Sequence, residues 1–170
     1  MYQVGEYLLY GGHGVCVIDD VAEKLFSGKE KLYYVLHPIS YPDLKLYYPV
    51  DGDQSKLKKM LAPEEAKNLM NIFKQPAKEW IEKNTDLNQF FNSVISSENR
   101  KEIAELLNTL LRRKLQFENE GKKLPIQETK LLEEASNLLY NELAITLSTT
   151  KDAISKQINE MVAASQKMMK

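Results

Sequence analysis

The hydrophobic pattern of this chain changes period once, near residue 62, and that change excludes a single uniform architecture. Before it, apolar residues come in short runs cut by Gly and Pro. Lys31 to Ile39 alternates, with Leu32, Tyr34 and Leu36 on one face and Tyr33, Val35 and His37 on the other. After it, apolar residues return every three or four positions, as in Leu87, Phe90, Phe91, Val94 and Ile95. A period of two marks a strand with one buried face, and a period near 3.6 marks an amphipathic helix. The expected fold class is therefore α+β in two domains: a small SH3- or Tudor-like β-barrel followed by an all-α helical bundle. Expected boundaries are residues 1–61 for the barrel, 62–147 for the bundle, and 148–170 for a helical C-terminal tail.

In the first unit, Val4 to Tyr10 reads as a strand closed by Gly11-Gly12, and Val15 to Ile18 as a second that ends at Asp19-Asp20. Ser27-Gly28-Lys29 and Tyr41-Pro42-Asp43 are turn signals, and Leu44 to Val50 is a further strand. A barrel this small leaves edge strands, and pairing with a partner's strand is a natural use for one. Eight of the nine tyrosines fall at or before Tyr48. They could form an aromatic cage for a cation, but tyrosine is also an ordinary strand former with a polar tip. Gly11-Gly12-His13-Gly14 lacks the helix that a phosphate-binding glycine loop requires, since a strand follows it.

In the second unit, Pro63 opens a helix with Glu64 and Glu65 in its first turn. Pro76 stops it, Asp86 is the expected cap of the next helix, and Ser97 that of the following one. Ile103, Leu106, Leu107, Leu110, Leu111 and Leu115 form one stripe, and Leu131, Leu132, Ala135, Leu138, Leu139 and Leu143 another. In the tail, Ile154, Ile158, Met161 and Val162 recur at helical spacing, to pack on the bundle or to meet a partner.

Several function classes have no support. A single cysteine, Cys16, excludes an internal disulfide and suits a reducing cytoplasm. There is no signal peptide at the start and no apolar run of membrane-spanning length, so a cytoplasmic location without membrane contact is expected. Two histidines and one cysteine form no zinc spacing and no nucleophilic triad, so neither a metal, a cofactor, a small-molecule substrate nor a catalytic site is expected, and the chain reads as a non-enzyme. The many glutamates read as exposed solubility charges. A net charge of -1 is low for an independent nucleic-acid binder. Basic residues do gather between Arg112 and Lys130, six against three acidic, as a solvated helix end or a phosphate-contacting patch.

The only tryptophan, Trp80, lies between Pro76 and Asp86 with Lys78, Glu79, Glu82 and Lys83 around it. A lone Trp is ordinarily a core residue, but these charged neighbours favour an exposed one.

The order of these parts resembles the CarD/CdnL family of bacterial transcription regulators over roughly residues 3 to 147. Val4-Gly5-Glu6, Tyr10-Gly11-Gly12-His13-Gly14, Tyr33-Tyr34-Val35-Leu36, Leu46-Tyr47-Tyr48-Pro49, Trp80 and Leu110-Leu111-Arg112-Arg113 are similar to family segments in the same order. The resemblance implies that the N-terminal domain binds the RNA polymerase β subunit, partly by strand pairing. It also implies that the helical domain reaches promoter DNA at the upstream edge of the melted bubble, where the Trp wedges into the minor groove and slows bubble closure. On that footing Lys24, Lys45, Tyr47, Tyr48 and Pro49 are the polymerase-contact candidates. Trp80, Lys78, Lys83, Arg112, Arg113, Lys122, Lys123 and Lys130 are the DNA-contact candidates. Tyr47 and Lys24 stand where the family often has Arg, and Glu82 stands where it has a basic residue, so DNA binding is expected to be weak without polymerase. The oligomeric state is not fixed by the sequence, and a monomer is favoured. A competing reading is a peptide-binding adaptor with a Tyr-rich barrel groove and a helical dimerisation unit.

Overall fold

The computed structural model describes residues 1–168, which divide into two units, Met1–Met60 and the residues from Leu61 onward. The first is a five-stranded antiparallel sheet and the second is helical, an α+β architecture.

The sheet comprises β1 (Tyr7–Tyr10), β2 (Val15–Phe26), β3 (Lys29–Pro38), β4 (Leu46–Pro49) and β5 (Leu57–Lys59). Its order is β4-β3-β2-β1-β5, which puts β4 and β5 at the edges. The alternation read in β3 holds in part: Tyr34 and Leu36 join Leu8, Cys16, Ile18, Tyr48 and Leu57 in the core of this unit, but Leu32 is exposed near the hairpin end and Val35, read on the outer face, is buried. Strand β2 runs eight residues past its expected end. A register shift between Ile18 and Asp20 leaves Asp19 as the extra, bulged residue, Asp20 pairs with Val35, and the strand continues against β3 to Phe26. The two strands meet in a tight hairpin at Ser27 and Gly28, whose φ angles of 54° and 76° are both left-handed, as the favoured two-residue turn demands. Strand β5 was not expected, because a three-residue strand with two lysines carries no measurable alternation. A 3-10 turn at Gly11–His13, not a phosphate-binding helix, follows β1.

The helical unit holds α1 (Pro63–Met70), a 3-10 turn Asn71–Lys74, α2 (Asn84–Ser97), α3 (Arg100–Asn119), α4 (Ile126–Thr146) and α5 (Lys151–Met168). Two caps differ from expectation. Lys83, not Asp86, precedes α2, and Asp86 sits in its first turn. Asn99, not Ser97, caps α3: its side chain accepts the Glu102 N–H. Ser97 is drawn off because its hydroxyl donates to the Val94 carbonyl at 2.7 Å. Helix α3 ends on Gly121, which takes φ 72° and lets the Lys122 N–H reach back to the Phe117 carbonyl at 2.8 Å.

Helix α5 packs in the bundle. Ile154 and Ile158 are fully buried in the cluster that holds Phe73, Phe91, Leu107, Leu110 and Leu143. The stripe read in the tail therefore faces inward. Two glutamates also depart from the solubility reading. Glu142 is 2% exposed and accepts from the Leu61 N–H at 2.8 Å and from Arg100 Nε at 2.7 Å. Glu128 is 6% exposed and bound to Arg113. Carboxylates buried this deeply persist because each has a cation and directed hydrogen bonds.

Candidate functional site

Residues 75–83, which carry Trp80, have no regular secondary structure. Pro76 cannot donate a hydrogen bond and keeps the residue before it out of the helical region. A segment of this kind must find partners for its backbone outside itself, and α3 supplies them. Asn108 Nδ2 donates to the Gln75 carbonyl at 2.9 Å, and the Lys78 N–H donates to Thr109 Oγ1 at 3.0 Å. Arg112 Nη2 donates to the Phe73 carbonyl at 3.1 Å. The Arg113 guanidinium carbon lies 4.0 Å from the centre of the Trp80 ring. Positions 108, 109, 112 and 113 share one stripe of a helix, so a single face of α3 grips the whole segment.

The two arginines are themselves anchored. Arg113 Nε lies 2.6 Å from Glu128 Oε1 on α4. Arg112, only 3% exposed, donates to Asn108 Oδ1 at 3.2 Å, to Gln166 Oε1 on α5 at 2.7 Å, and to Ser165 Oγ. Burial holds the Arg112 guanidinium below its ordinary pKa, and its hydrogen bonds favour the charged form. Trp80 is half-buried, packed against the helical core and stacked on Arg113. This corrects the expectation of an exposed residue: the charged neighbours of Trp80 point outward while the indole lies back on α3.

The DNA-contact candidates separate accordingly. Arg112 cannot contact a phosphate, because its donors are spent inside the bundle. Arg113 is largely withdrawn, with its side chain 20% exposed and occupied by Glu128 and the indole. Lys78 lies beside Trp80, exposed, with its Nζ 2.9 Å from Glu105 Oε2. Lys83, Lys123 and Lys130 are exposed, and the Lys122 ammonium stands 3.8 Å from Glu120. The basic cluster read between Arg112 and Lys130 is thus part internal scaffold and part open surface.

In the sheet unit, the Val50 N–H bonds to the Leu32 carbonyl, which fixes the β3–β4 ladder. With Tyr47 opposite Val35, the alternation turns the Tyr47 N–H and C=O outward on the open edge of β4. Pro49, which lacks an N–H, sits at the same outward phase, where an edge strand tolerates it. The Tyr47 side chain is exposed, and its ring lies 5.4 Å from that of Phe26, which in turn lies 5.0 Å from Tyr33. Lys24 is exposed opposite Lys31, and Lys45 is exposed just before β4. Tyr48 belongs elsewhere. It is 7% exposed, faces the core, and donates its hydroxyl to the Asp53 carbonyl, so it is not a contact residue.

Sequence reasoning missed Asn108, Thr109, Glu128, Phe26 and Phe90. Phe90 was read as part of the inward stripe of its helix but is 44% exposed, and Phe26 lies beyond the strand end expected at Asp19-Asp20. Asn108 and Thr109, polar and outside the apolar stripe read for α3, gave no signal, yet both are buried. Trp80 also borders a groove of about 340 Å³ between the 78–81 segment, α2 and α3. Cys16 is buried and its thiol is pushed up to about 12, which suits packing and not reactivity. Among the described residues no group of His, Cys, Asp and Glu is placed to hold a metal ion, and no helix is long and apolar enough to cross a membrane.

Known proteins match both units in the same order. Residues 2–61 match the CarD-like/TRCF RID domain, and residues 68–159 match the CarD C-terminal domain. The second match runs into α5, beyond residue 147, where the resemblance read from the sequence ended. The chain is 26% identical over 162 residues, 91% of its length, to the Bacillus subtilis (strain 168) protein named "Putative transcription factor YdeB", of which it covers 97%.

Proposed function

The chain belongs to the CarD family, and from that membership we propose that it is a transcription regulator that binds the RNA polymerase β subunit and stabilises the promoter open complex. The sheet unit makes the polymerase contact. The outward Tyr47 N–H and C=O pair with a strand of the β subunit, and Phe26, Tyr33 and Tyr47 pack on it while Lys24 and Lys45 meet acidic groups. The helical unit meets promoter DNA at the upstream fork through Trp80, with Lys78, Lys83 and the lysines at 122, 123 and 130 as candidates for phosphate contacts.

The observation that carries this reading is the grip of α3 on the Trp80 segment. Holding one half-buried aromatic on an irregular, charged segment by four side chains of one helix is an expensive way to fill a core and an effective way to present a rigid ring edge. Arg113 and Glu128 set the indole plane, so little ring freedom remains to be lost on binding. An aromatic set against unstacked bases is worth about 1–3 kcal/mol. Weak affinity for DNA alone suits a net charge of -1, because tethering to polymerase raises the local concentration, to about millimolar for a short link.

The direct test is size-exclusion chromatography of the full chain with a purified fragment of the cognate β subunit. Co-elution is expected, and it should weaken for Tyr47→Ala and Phe26→Ala. Separate elution of the wild-type chain at micromolar concentrations would overturn the reading.

A further inference from the structure

The groove beside Trp80 is not absorbed by the DNA-contacting role. Its volume, about 340 Å³, falls within the ~300–1,000 Å³ usual for ligand sites. Its apolar lining comes from Trp80 and Ile81, from Leu87, Phe90 and Val94 on α2, and from Leu106 on α3. Phe90 is 44% exposed, a large aromatic that the bundle leaves open at this spot. Arg113 does not line the groove, so the groove meets the indole away from its stacked guanidinium.

The charged lining is one-sided. Glu79, Glu102 and Glu105 stand against one cation, Lys78, and Lys78 is already 2.9 Å from Glu105. Glu79 and Glu102 are exposed, and Glu82 lies exposed in the same segment. A phosphate backbone would meet like charge here, at a cost that a counterion-releasing nucleic-acid surface avoids. An apolar floor beneath an acidic rim complements the opposite chemistry, a large apolar anchor with positive charge on either side.

We propose that this groove is a docking site for a short segment of a partner protein, one that seats a large apolar side chain against Phe90, Val94 and Trp80 and pairs flanking Lys or Arg with Glu79 and Glu102. The proposal goes beyond the polymerase reading and does not depend on it. It also gives a use to the glutamates around Trp80, which a purely DNA-contacting segment would lack.

The test is a selection from a displayed library of random 12-residue peptides on the full chain, followed by titration of the synthetic consensus. Trp80 is the only tryptophan, so its emission reports groove occupancy. The expected consensus is one or two large apolar residues flanked by Lys or Arg. Its binding should shift Trp80 emission, fall at least tenfold in the Glu79→Lys, Glu102→Lys double variant, and fall similarly in Phe90→Ala, whose exposed ring leaves the bundle folded. An absence of enriched peptides, an acidic or purely polar consensus, or equal binding to the double variant would each overturn the proposal. No enrichment together with tighter forked-DNA binding by the double variant would make the groove a nucleic-acid surface. Polymerase co-elution of Phe90→Ala is expected to be normal, so failure here and failure of the polymerase reading are separable.

Discussion

Replacing Arg112 with Met separates an internal scaffold from a DNA-contacting surface. Methionine keeps most of the aliphatic stem and removes five donors and the charge. Two deeply buried acceptors then lose a donor, the Phe73 carbonyl at 3.1 Å and Asn108 Oδ1 at 3.2 Å. Gln166 Oε1 and Ser165 Oγ lie nearer the surface, and Ser165 keeps its bond to the Val162 carbonyl. Each bare buried acceptor costs about 1–3 kcal/mol. Relief from burying the guanidinium offsets part of that, leaving a net loss of about 2–4 kcal/mol. Chemical denaturation followed by Trp80 emission reads this directly, because Trp80 is the only tryptophan and lies in the helical unit. The midpoint should fall with little change in slope. Native emission should shift to the red, because the Phe73 carbonyl ahead of the indole is no longer clamped and Asn108, which holds Gln75, loses the bond that orients its amide. A loss under 0.5 kcal/mol with unchanged emission would refute the scaffold role, and a stable variant with weakened DNA contact would return Arg112 to the phosphate-binding set.

Three further outcomes are expected. Glu128→Gln removes the charge that holds Arg113, costs about 1–2 kcal/mol given that Arg113 can partly rehydrate, and red-shifts Trp80; unchanged emission would mean that Arg113 stacks without it. Cys16, whose thiol rises from 9.0 to about 12 on folding, contributes stability that is whole below pH 9 and is lost as pH rises towards 12, at up to about 1.4 kcal/mol per pH unit. Cys16→Ala should flatten the decline attributable to this group, and rapid labelling of the native thiol at pH 8 would contradict its burial. Tyr47→Ala should weaken co-elution with the β-subunit fragment about tenfold, as an exposed aromatic anchor does, with the sheet's unfolding midpoint within 0.5 kcal/mol of wild type; full binding would move the contact away from the β4 edge.

Periodicity carried the fold. The inward Tyr34 and Leu36 of β3 and most of the stripes of α2 and α3 were plain because the helices bury one apolar face, whereas Val35 and Phe90 break the pattern, one buried and one exposed. What stayed hidden depended on tertiary partners. Glu128, Glu142 and Arg112 look like surface charges in a sequence, and only the packing of α3 against α4 and α5 brings them inside beside opposite charge or directed acceptors. Asn108 and Thr109 went unread because nothing local announces that residues 75–78 will come to rest on them. The β2 bulge was hidden for a similar reason, since Asp19-Asp20 reads as a strand end until the pairing with β3 carries the chain past it. The charged neighbours of Trp80 suggested more exposure than the stacking on Arg113 allows.

The most direct test is the lifetime of open complexes formed by the cognate polymerase on a promoter fragment, challenged with competitor DNA, with wild-type chain and with Trp80→Ala. A stacking contribution of about 1–3 kcal/mol at about 1.4 kcal/mol per factor of ten gives a lifetime roughly ten-fold to a hundred-fold shorter for Trp80→Ala, while co-elution with the β-subunit fragment is retained. Equal lifetimes for a folded, polymerase-bound Trp80→Ala chain would contradict the role of Trp80 at the fork.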